Sequence, residues 1–268
     1  VRRIVRRVFV AAANSDVRLR TVWPPTIDLV RLERKHGIPM LVPPGADPND
    51  ARFIERVTLD LRPQVALCYD CLSVLRTRLR ERFEQAVNYH AGLLPHYRGV
   101  MATAFSLLAG ESESGFTFHR MTARIDAGPI LVQGSVPIQN ATCEDVSRRK
   151  LDLAVASLPL VLDKIVRNDP GSPPVGSGHP FYARDWQALI RVEHPEYLTA
   201  AQLMQRIRAF GIVNMTIGGE EYPVTHLRAV AAGHTLAFRT VDGVLLAPDR
   251  FDGLPRALCR IGARWLRG

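Results

Sequence analysis

The sequence has no run of apolar residues long enough to span a bilayer, although 47% of its 268 residues are hydrophobic. A membrane-spanning protein is therefore not expected. Cysteine is scarce and unevenly spread, at positions 68, 71, 143 and 259, which does not match the pattern of a disulfide framework. Because unpaired thiols are typical of reducing compartments, we expect a cytoplasmic protein.

Acidic residues are outnumbered, so the formal net charge is +9 and the isoelectric point is near 9.9. This excess favours anionic partners such as a nucleotide or RNA. The positive residues are mostly arginines spread along the whole chain rather than gathered in one block. That distribution is more typical of a solvated surface than of a dedicated nucleic-acid site.

Helical and extended patterns alternate along the first two thirds of the chain. Apolar runs and turn residues predict strands over 38–42, 64–69, 86–90, 115–121 and 130–138. Apolar residues at helical spacing predict helices over 26–36, 50–61, 75–83, 100–109 and 142–167, the last kinked or split at Pro159. This alternation predicts an α/β fold with a Rossmann-like, mostly parallel sheet flanked by helices.

Residues 168–180 are rich in proline, glycine and serine and predict a linker between two domains, 1–167 and 181–268. The second domain is predicted to be small and β-rich, with a helix over 198–210 and a basic helix over 254–266. Its strands are predicted at 212–217, 222–230 and 235–246. Gly218-Gly219 and Asp242-Gly243 are suited to hairpin turns between them.

The stretch 86–99, AVNYHAGLLPHYRG, carries the strongest functional signal. Side chains alternate along a strand, so Asn88 and His90 share one face, about 6–7 Å apart. They stand at the C-terminal end of a predicted parallel strand, where α/β sheets bind ligands. Asp126 lies before a glycine in a later loop. Taken singly, a buried histidine and a loop aspartate are more typical of structural roles.

Three motifs follow one another along the chain: Asn88-Tyr89-His90, then Leu93-Leu94-Pro95 with Arg98-Gly99, then Asp126-Ala127-Gly128. Together they resemble the signature of the N10-formyltetrahydrofolate-dependent formyltransferases, which include methionyl-tRNA formyltransferase and the sugar N-formyltransferases. The likeness extends from about residue 64 to 138, and the form His90-Ala91-Gly92 is more similar to the sugar branch. The resemblance implies a formyltransferase fold, with 1–167 as the catalytic domain.

The resemblance also implies roles for individual residues. Asn88, His90 and Asp126 would be catalytic, and Arg98 would either bind a phosphate or carboxylate of the substrate or form a salt bridge within its loop. The residues that would bind the donor, N10-formyltetrahydrofolate, are Leu72, Ser73, Val74, Leu94, Pro95, Thr122, Ala123, Arg124 and Ile125. No metal is required. His96 and His119 are expected to be structural or solvated.

Formyl transfer explains why these residue types are needed. An amine attacks the formyl carbon, and the tetrahedral intermediate carries an oxyanion and a surplus proton on nitrogen. The Asn88 amide is suited to donate to the oxyanion. His90 can donate to it or accept the proton, because imidazole titrates near neutrality. Asp126, if it reaches His90, would orient the ring and favour its charged form.

Several functions stay open at this point. The acceptor amine is a nucleotide-linked amino sugar, another small amine, or the aminoacyl end of initiator tRNA. Water as acceptor would make the protein a formyltetrahydrofolate hydrolase. A non-enzymatic alternative is a catalytically degenerate relative or a basic RNA-binding module. A homodimer is a further expectation for the assembly.

Two further patterns carry expectations. Apolar residues at helical spacing predict a helix over 1–12, whereas the resembled family opens on a strand, so we expect the first strand of the sheet to be missing. Cys68 and Cys71 have the spacing of a redox pair or half a zinc site. Without a second ligand pair, two unpaired thiols are expected.

Overall fold

The computed structural model of the chain describes residues 8–11, 37, 41, 43–69, 71 and 73–249. It divides into two compact units that interleave along the sequence. The first contains Val1–His90, Thr117–Gln133 and Ser157–Val175, and the second contains Ala91–Phe116, Gly134–Ala156 and Gly176–Gly268. The predicted domain boundaries at residues 167 and 181 stay a prediction.

The described strands are, in chain order, β1 (Val8–Ala11), β2 (Val65–Tyr69), β3 (Gln85–His90), β4 (Arg98–Gly99), β5 (Glu113–Arg120), β6 (Ile130–Pro137), β7 (Pro180–Phe181), β8 (Arg191–Val192), β9 (Val213–Ile217), β10 (Glu220–Val224), β11 (Leu227–Ala229), β12 (Phe238–Arg239) and β13 (Leu245–Pro248). The described helices are α1 (Ala51–Arg56), α2 (Thr77–Arg80), α3 (Ala102–Leu108), α4 (Cys143–Val166), α5 (Ala183–Ile190) and α6 (Ala200–Phe210). Helix α1 continues as a π-helical turn over Val57–Leu61, and single 3-10 turns lie at Pro44–Ala46 and Pro195–Tyr197.

The main sheet has the strand order β1–β2–β3–β5–β6. Strands β1, β2 and β3 are parallel, and β5 runs antiparallel to β3. The predicted α/β class with a parallel sheet section is confirmed. Parallel neighbours need a crossover between them, and α2 lies in the connection from β2 to β3. No helix within the described ranges has the length and apolarity that a bilayer span requires.

The prediction of a helix over residues 1–12 is wrong at its C-terminal end. Val8–Ala11 forms a strand that pairs in parallel with Val65–Cys68 of β2, so a strand precedes β2 where one was expected to be missing. Four consecutive apolar residues fit both a helix and a buried strand by periodicity alone. Pairing with β2 decides between them, because the β2 edge would otherwise present unpaired backbone groups.

Helix α1 and the segment after β2 cover the sheet in the first unit. Asp50 caps α1, accepting hydrogen bonds from the backbone N–H groups of Arg52 and Phe53. Helix α1 then buries one face against β2. The core so formed contains Phe53, Ile54, Val57, Ala66, Cys68, Leu75, Leu79 and Phe83. The predicted helices over 75–83 and 100–109 are shorter, at α2 and α3.

Helix α4 confirms the predicted start near Thr142 and end near Arg167. Thr142 and Asp145 bond reciprocally at its N-terminus, with Thr142 Oγ1 2.6 Å from Asp145 Oδ2. One helix runs through Pro159, so the predicted split does not occur. Proline removes one backbone donor from the ladder, but a helix of 24 residues has many other bonds to hold it.

The C-terminal part of the second unit follows its predicted outline. Thr199 and Gln202 form a capping box for α6, and β9 and β10 make a hairpin across Gly218-Gly219. The predicted strands over 222–230 and 235–246 are each broken in two, giving β10 with β11 and β12 with β13. The predicted helices over 26–36 and 254–266 lie outside the described residues.

Residues 168–180 hold close contacts in each unit. In the first unit, Ser172 exchanges two backbone hydrogen bonds with Ile130, at 2.7 and 2.9 Å. In the second unit, β7 pairs with β4, and an added Cβ at Gly178 would overlap the Pro95 carbonyl oxygen. Each part of the segment predicted as a linker therefore contacts other residues of the unit to which it belongs.

Candidate active site

Strand β3 presents the first two predicted catalytic residues. Val87 and Tyr89 are buried within the sheet, where β3 lies between β2 and β5. Asn88 and His90 alternate with these residues and therefore share one face of the strand. The His90 side chain is buried and Asn88 is half-buried. The local pattern thus positions both polar groups at the C-terminal end of β3.

Asp126 lies in the loop between β5 and β6. The Arg120 N–H donates to the Pro129 carbonyl at 2.8 Å, which closes the base of the loop. Asp126 has a φ of 47°, in a region that aspartate adopts more readily than most residues. An added Cβ at Gly128 would overlap the Arg120 carbonyl oxygen, so only glycine lets the loop pass this close to β5.

The Asp126 carboxylate contacts the His90 ring, with Oδ2 3.3 Å from Nδ1. The two side chains are only 10% and 6% exposed, so little water screens the contact. Asn88 Nδ2 donates to Asp126 Oδ1 at 3.4 Å, across 38 positions of sequence. The three residues that the motifs predicted to be catalytic therefore form one cluster in the first unit.

His119 joins this cluster, although the sequence predicted a structural or solvated role for it. Its Nε2 lies 3.3 Å from Asp126 Oδ1 and 3.2 Å from Asn88 Nδ2. The antiparallel register of β3 and β5 sets His119 directly opposite Asn88. The predicted strand over 115–121 contained the residue, but its partner depends on the register between the two strands, which no local pattern specifies.

The contacts of His119 indicate how protons are arranged at the site. Its Nδ1 lies 3.0 Å from the Arg120 carbonyl oxygen, which can only accept, so Nδ1 carries a hydrogen. In the neutral ring, Nε2 then accepts from the Asn88 amide. The two N–H groups of Asn88 are accordingly directed to His119 and Asp126. A role for Asn88 in binding an oxyanion stays a prediction, since it needs one of these bonds to be exchanged.

Residues 34–162, just under half of the chain, match the sequence profile described as formyl transferase. This segment contains Asn88, His90 and Asp126 at the spacing that the motifs require. Over these residues the chain is similar to the formyl transferase family. The predicted resemblance is therefore confirmed.

Relatives of this formyl transferase domain act on different acceptors. A GDP-perosamine N-formyltransferase of Brucella melitensis is 37% identical over 101 residues, which cover 37% of this chain and 39% of that protein. A methionyl-tRNA formyltransferase of Halorhodospira halophila is 29% identical over 213 residues, covering 77% of this chain and 65% of that protein. The chain thus spans less than two thirds of either relative.

A solved structure shows the same fold. HypX from Aquifex aeolicus, crystallised in complex with tetrahydrofolic acid, superposes with a TM-score of 0.58 at 18% sequence identity. The superposition covers 80% of this chain and 41% of that protein. A sugar N-formyltransferase from Shewanella superposes with a TM-score of 0.56 at 23% sequence identity, covering 66% of this chain and 74% of that protein. The formyltransferase fold expected from the motifs is therefore confirmed.

The predicted donor-binding residues of the first unit lie before β3 and before Asp126 in the sequence. Val74 and Ile125 are large apolar side chains that are 56% and 52% exposed, so both offer apolar surface to a ligand. The loop before Asp126 is held by Thr122, whose carbonyl accepts from Arg80 at 3.3 Å. Ala123 and Arg124 are exposed and Ser73 is half-buried, whereas Leu72 lies outside the described residues. Donor binding stays a prediction for this set.

The predicted ligand residues of the second unit belong to the loop after β3. Leu94 is buried, and the Pro95 carbonyl lies against Gly178. Arg98 donates from Nη2 to the Gly178 carbonyl at 2.8 Å, and its buried Nε has no partner among the described residues. Arg98 thus holds its own loop in part. Its predicted contact with substrate stays a prediction.

The cysteine pair of the formyl transferase domain is structural in character. Cys68 and Cys71 are thiols rather than a disulfide, and Cys71 Sγ donates to the Ser73 carbonyl at 3.2 Å. Burial raises the pKa of Cys68 to about 12, which keeps that thiol protonated. Within the described ranges, no group of three or more His, Cys, Asp or Glu side chains has an arrangement that could hold a metal ion.

Replacing His119 tests whether it supports the cluster of Asn88, His90 and Asp126. We expect His119→Phe to lower kcat by roughly 10-fold, because Asn88 and Asp126 lose a shared partner. The free energy of unfolding should fall by roughly 1–3 kcal/mol, since polar groups are left unpaired in a buried site. Steady-state kinetics and urea unfolding measure both. His194→Phe, at a side chain 62% exposed, should change neither; an unchanged kcat in His119→Phe would contradict the role.

Proposed function

We propose that the chain transfers a formyl group from N10-formyltetrahydrofolate to a primary amine, with a nucleotide-linked amino sugar as the acceptor. The observation that carries this proposal is the contact of the Asp126 carboxylate with the His90 ring beside Asn88. The match of residues 34–162 to the formyl transferase family supports the reaction class. A folate donor is supported by HypX, a relative in fold that was crystallised with tetrahydrofolic acid.

The chemistry assigns each residue a task. The acceptor amine forms a C–N bond to the formyl carbon, and the carbonyl oxygen becomes an oxyanion. His90 and Asn88 stabilise this oxyanion by donating hydrogen bonds, and Asp126 holds the His90 ring and favours its charged form. The bond from carbon to N10 then breaks, and the proton lost by the amine is delivered to N10. The products are a formamide and tetrahydrofolate.

Two features favour a sugar over tRNA as acceptor. The first is the form His90-Ala91-Gly92 that follows β3. The second is the short connection after the Leu-Pro loop, where only Val100 and Met101 separate β4 from α3. The family resemblance implies a longer segment at this point in the tRNA enzymes, and two residues leave little room for one. The Brucella relative, named for an amino-sugar nucleotide, supports the same choice.

Methionyl-tRNA is the second candidate acceptor, favoured by the net charge of +9 and by the Halorhodospira relative. Hydrolysis of the donor, with water as acceptor, uses the same three residues. The proposed function belongs to one-carbon metabolism, and we expect it to operate in the cytoplasm. The expected partner is a second copy of the chain, in a homodimer.

Release of tetrahydrofolate distinguishes these functions. The protein is incubated with N10-formyltetrahydrofolate and, in separate reactions, GDP-perosamine, a dTDP-linked amino sugar, methionyl-tRNA or buffer alone. We expect release only with a sugar nucleotide, together with a product heavier by one formyl group in mass spectrometry. Release only with charged tRNA, or with buffer alone, would replace the proposed acceptor. No release under any condition would refute the enzyme activity. The His90→Ala variant gives the background rate of release in each reaction.

A further inference from the structure

Lys150 is fully buried on α4, with no exposed surface. Lysine is almost never fully buried, because an ammonium group loses favourable hydration when it leaves water. The chain has only three lysines, at positions 35, 150 and 164, and Lys164 lies partly exposed on the same helix. An apolar side chain of similar length would fill the site of Lys150 without this penalty. The buried charge therefore needs an explanation.

The ammonium group of Lys150 has two specific acceptors in the second unit. Its Nζ donates to the Ala91 carbonyl at 2.8 Å and to the Thr103 hydroxyl. Ala91 is the residue that follows His90, at the end of β3. Thr103 lies in the first turn of α3 and is itself buried. The lysine thus binds α4 to the backbone just beyond the proposed catalytic histidine.

The surroundings of Lys150 carry little charge to offset its own. Burial lowers the pKa of the Lys150 ammonium to about 8, and Cys143 on the same helix acts in the opposite direction. Neither of its acceptors, a backbone carbonyl and a hydroxyl, titrates in this range. The native state therefore holds a charge whose stabilising partners are two hydrogen bonds. Such a group costs stability, and what it provides in return is a fixed position for the Ala91 carbonyl.

We propose that Lys150 is a positioning residue, which holds the Ala91 carbonyl and thereby fixes the end of β3 from which the His90 ring projects. This inference rests on the proposed function of His90 in formyl transfer. A displaced main chain at Ala91 would rotate the imidazole away from the reacting carbon, and catalysis is sensitive to displacements of about 1 Å.

Lys150→Met removes the charge while keeping an unbranched side chain in the core. We expect kcat for formyl transfer to fall at least 10-fold, while the urea midpoint of unfolding stays equal or rises, because the desolvation penalty is gone. We also expect the ring signals of His90 to shift in ¹H–¹³C NMR spectra, in which they are assigned with His90→Gln. Thr103→Val removes only one acceptor of the Lys150 ammonium. It should give a smaller fall in kcat and a smaller shift of the His90 signals.

Lys164→Met is the matched control on the same helix and should leave both kcat and the His90 signals unchanged. An unchanged kcat together with unshifted His90 signals in Lys150→Met would overturn the proposal. If Lys150→Met does not fold, unchanged kcat and unshifted His90 signals in Thr103→Val would overturn the proposal. If neither the unmodified chain nor any variant transfers a formyl group, the proposed function fails. The shift of the His90 signals in Lys150→Met still decides whether Lys150 positions the ring.

The charge on Lys150 also predicts a pH dependence that needs no activity. Below about pH 8 the lysine is charged in both the folded and unfolded states, so the folded state carries the full burial penalty. Between about pH 8 and the ordinary lysine pKa, the folded state loses its proton first, and stability should rise with pH. The urea midpoint of the unmodified protein should therefore rise relative to Lys150→Met over this range. If the urea midpoints of the two proteins change in parallel over this pH range, Lys150 is not a buried charge.

Discussion

Asp126→Asn should lower kcat by at least ~10²-fold while leaving the fold intact. The change keeps the size of the side chain but removes the negative charge that lies 3.3 Å from His90 Nδ1. Without that charge, the imidazolium formed during proton transfer loses its stabilising partner in a site that is almost closed to water. Release of tetrahydrofolate gives kcat, and circular dichroism with urea unfolding reports the fold.

Asp152→Asn is the matched control, because it makes the same change at an exposed position of α4 and should keep normal turnover. Near-normal turnover in Asp126→Asn would remove the carboxylate from the mechanism. His90→Ala and Asn88→Ala should each cause losses of similar size. Because the three side chains act as a unit, the double variants should lose little more than the single ones.

Gly128→Ala should have the second large effect, through the backbone rather than through a functional group. A Cβ at this position would overlap the Arg120 carbonyl oxygen, which belongs to β5 and cannot move aside as a flexible side chain would. The loop must shift and carry Asp126 away from His90. We expect kcat to fall by at least ~10²-fold and the free energy of unfolding to fall by about 1–3 kcal/mol.

Gly233→Ala provides the comparison, since a Cβ there meets nothing within 4 Å. Its φ of +98° should cost about 1–2 kcal/mol of stability, but turnover should stay normal. Normal turnover in Gly128→Ala would mean that the loop tolerates the added methyl group. In that case the close passage of the loop would not be what sets the position of Asp126.

Local patterns in the sequence were sufficient for much of the fold. Strands β2, β3 and β6 are apolar runs bounded by turn residues, and α4 begins at a capping pair that is visible in the sequence, Thr142 with Asp145. The hairpin at Gly218-Gly219 follows from the need for positive φ at both turn positions. Each of these features depends on residues that are close in sequence, so a single pattern predicts it.

Strand β1 shows where such patterns fail. Val8–Ala11 suits a helix or a strand equally well, and parallel pairing with β2, more than 50 positions away, decides the outcome. The break of the predicted strand over 222–230 has a similar origin. Its two halves pair with different partners, β10 with β9 and β11 with β13, so the strand is divided between two sheets.

The candidate site divides in the same way. Alternation along one strand was enough to put Asn88 and His90 on a common face, and the three motifs in order were enough to name Asp126 as their partner. The membership of His119 was decided by the antiparallel register of β3 and β5, and the role inferred for Lys150 by the approach of α4 to the Ala91 carbonyl. Spacing along a chain specifies neighbours within an element, whereas contacts between elements depend on register and packing, which exist only once the chain has folded.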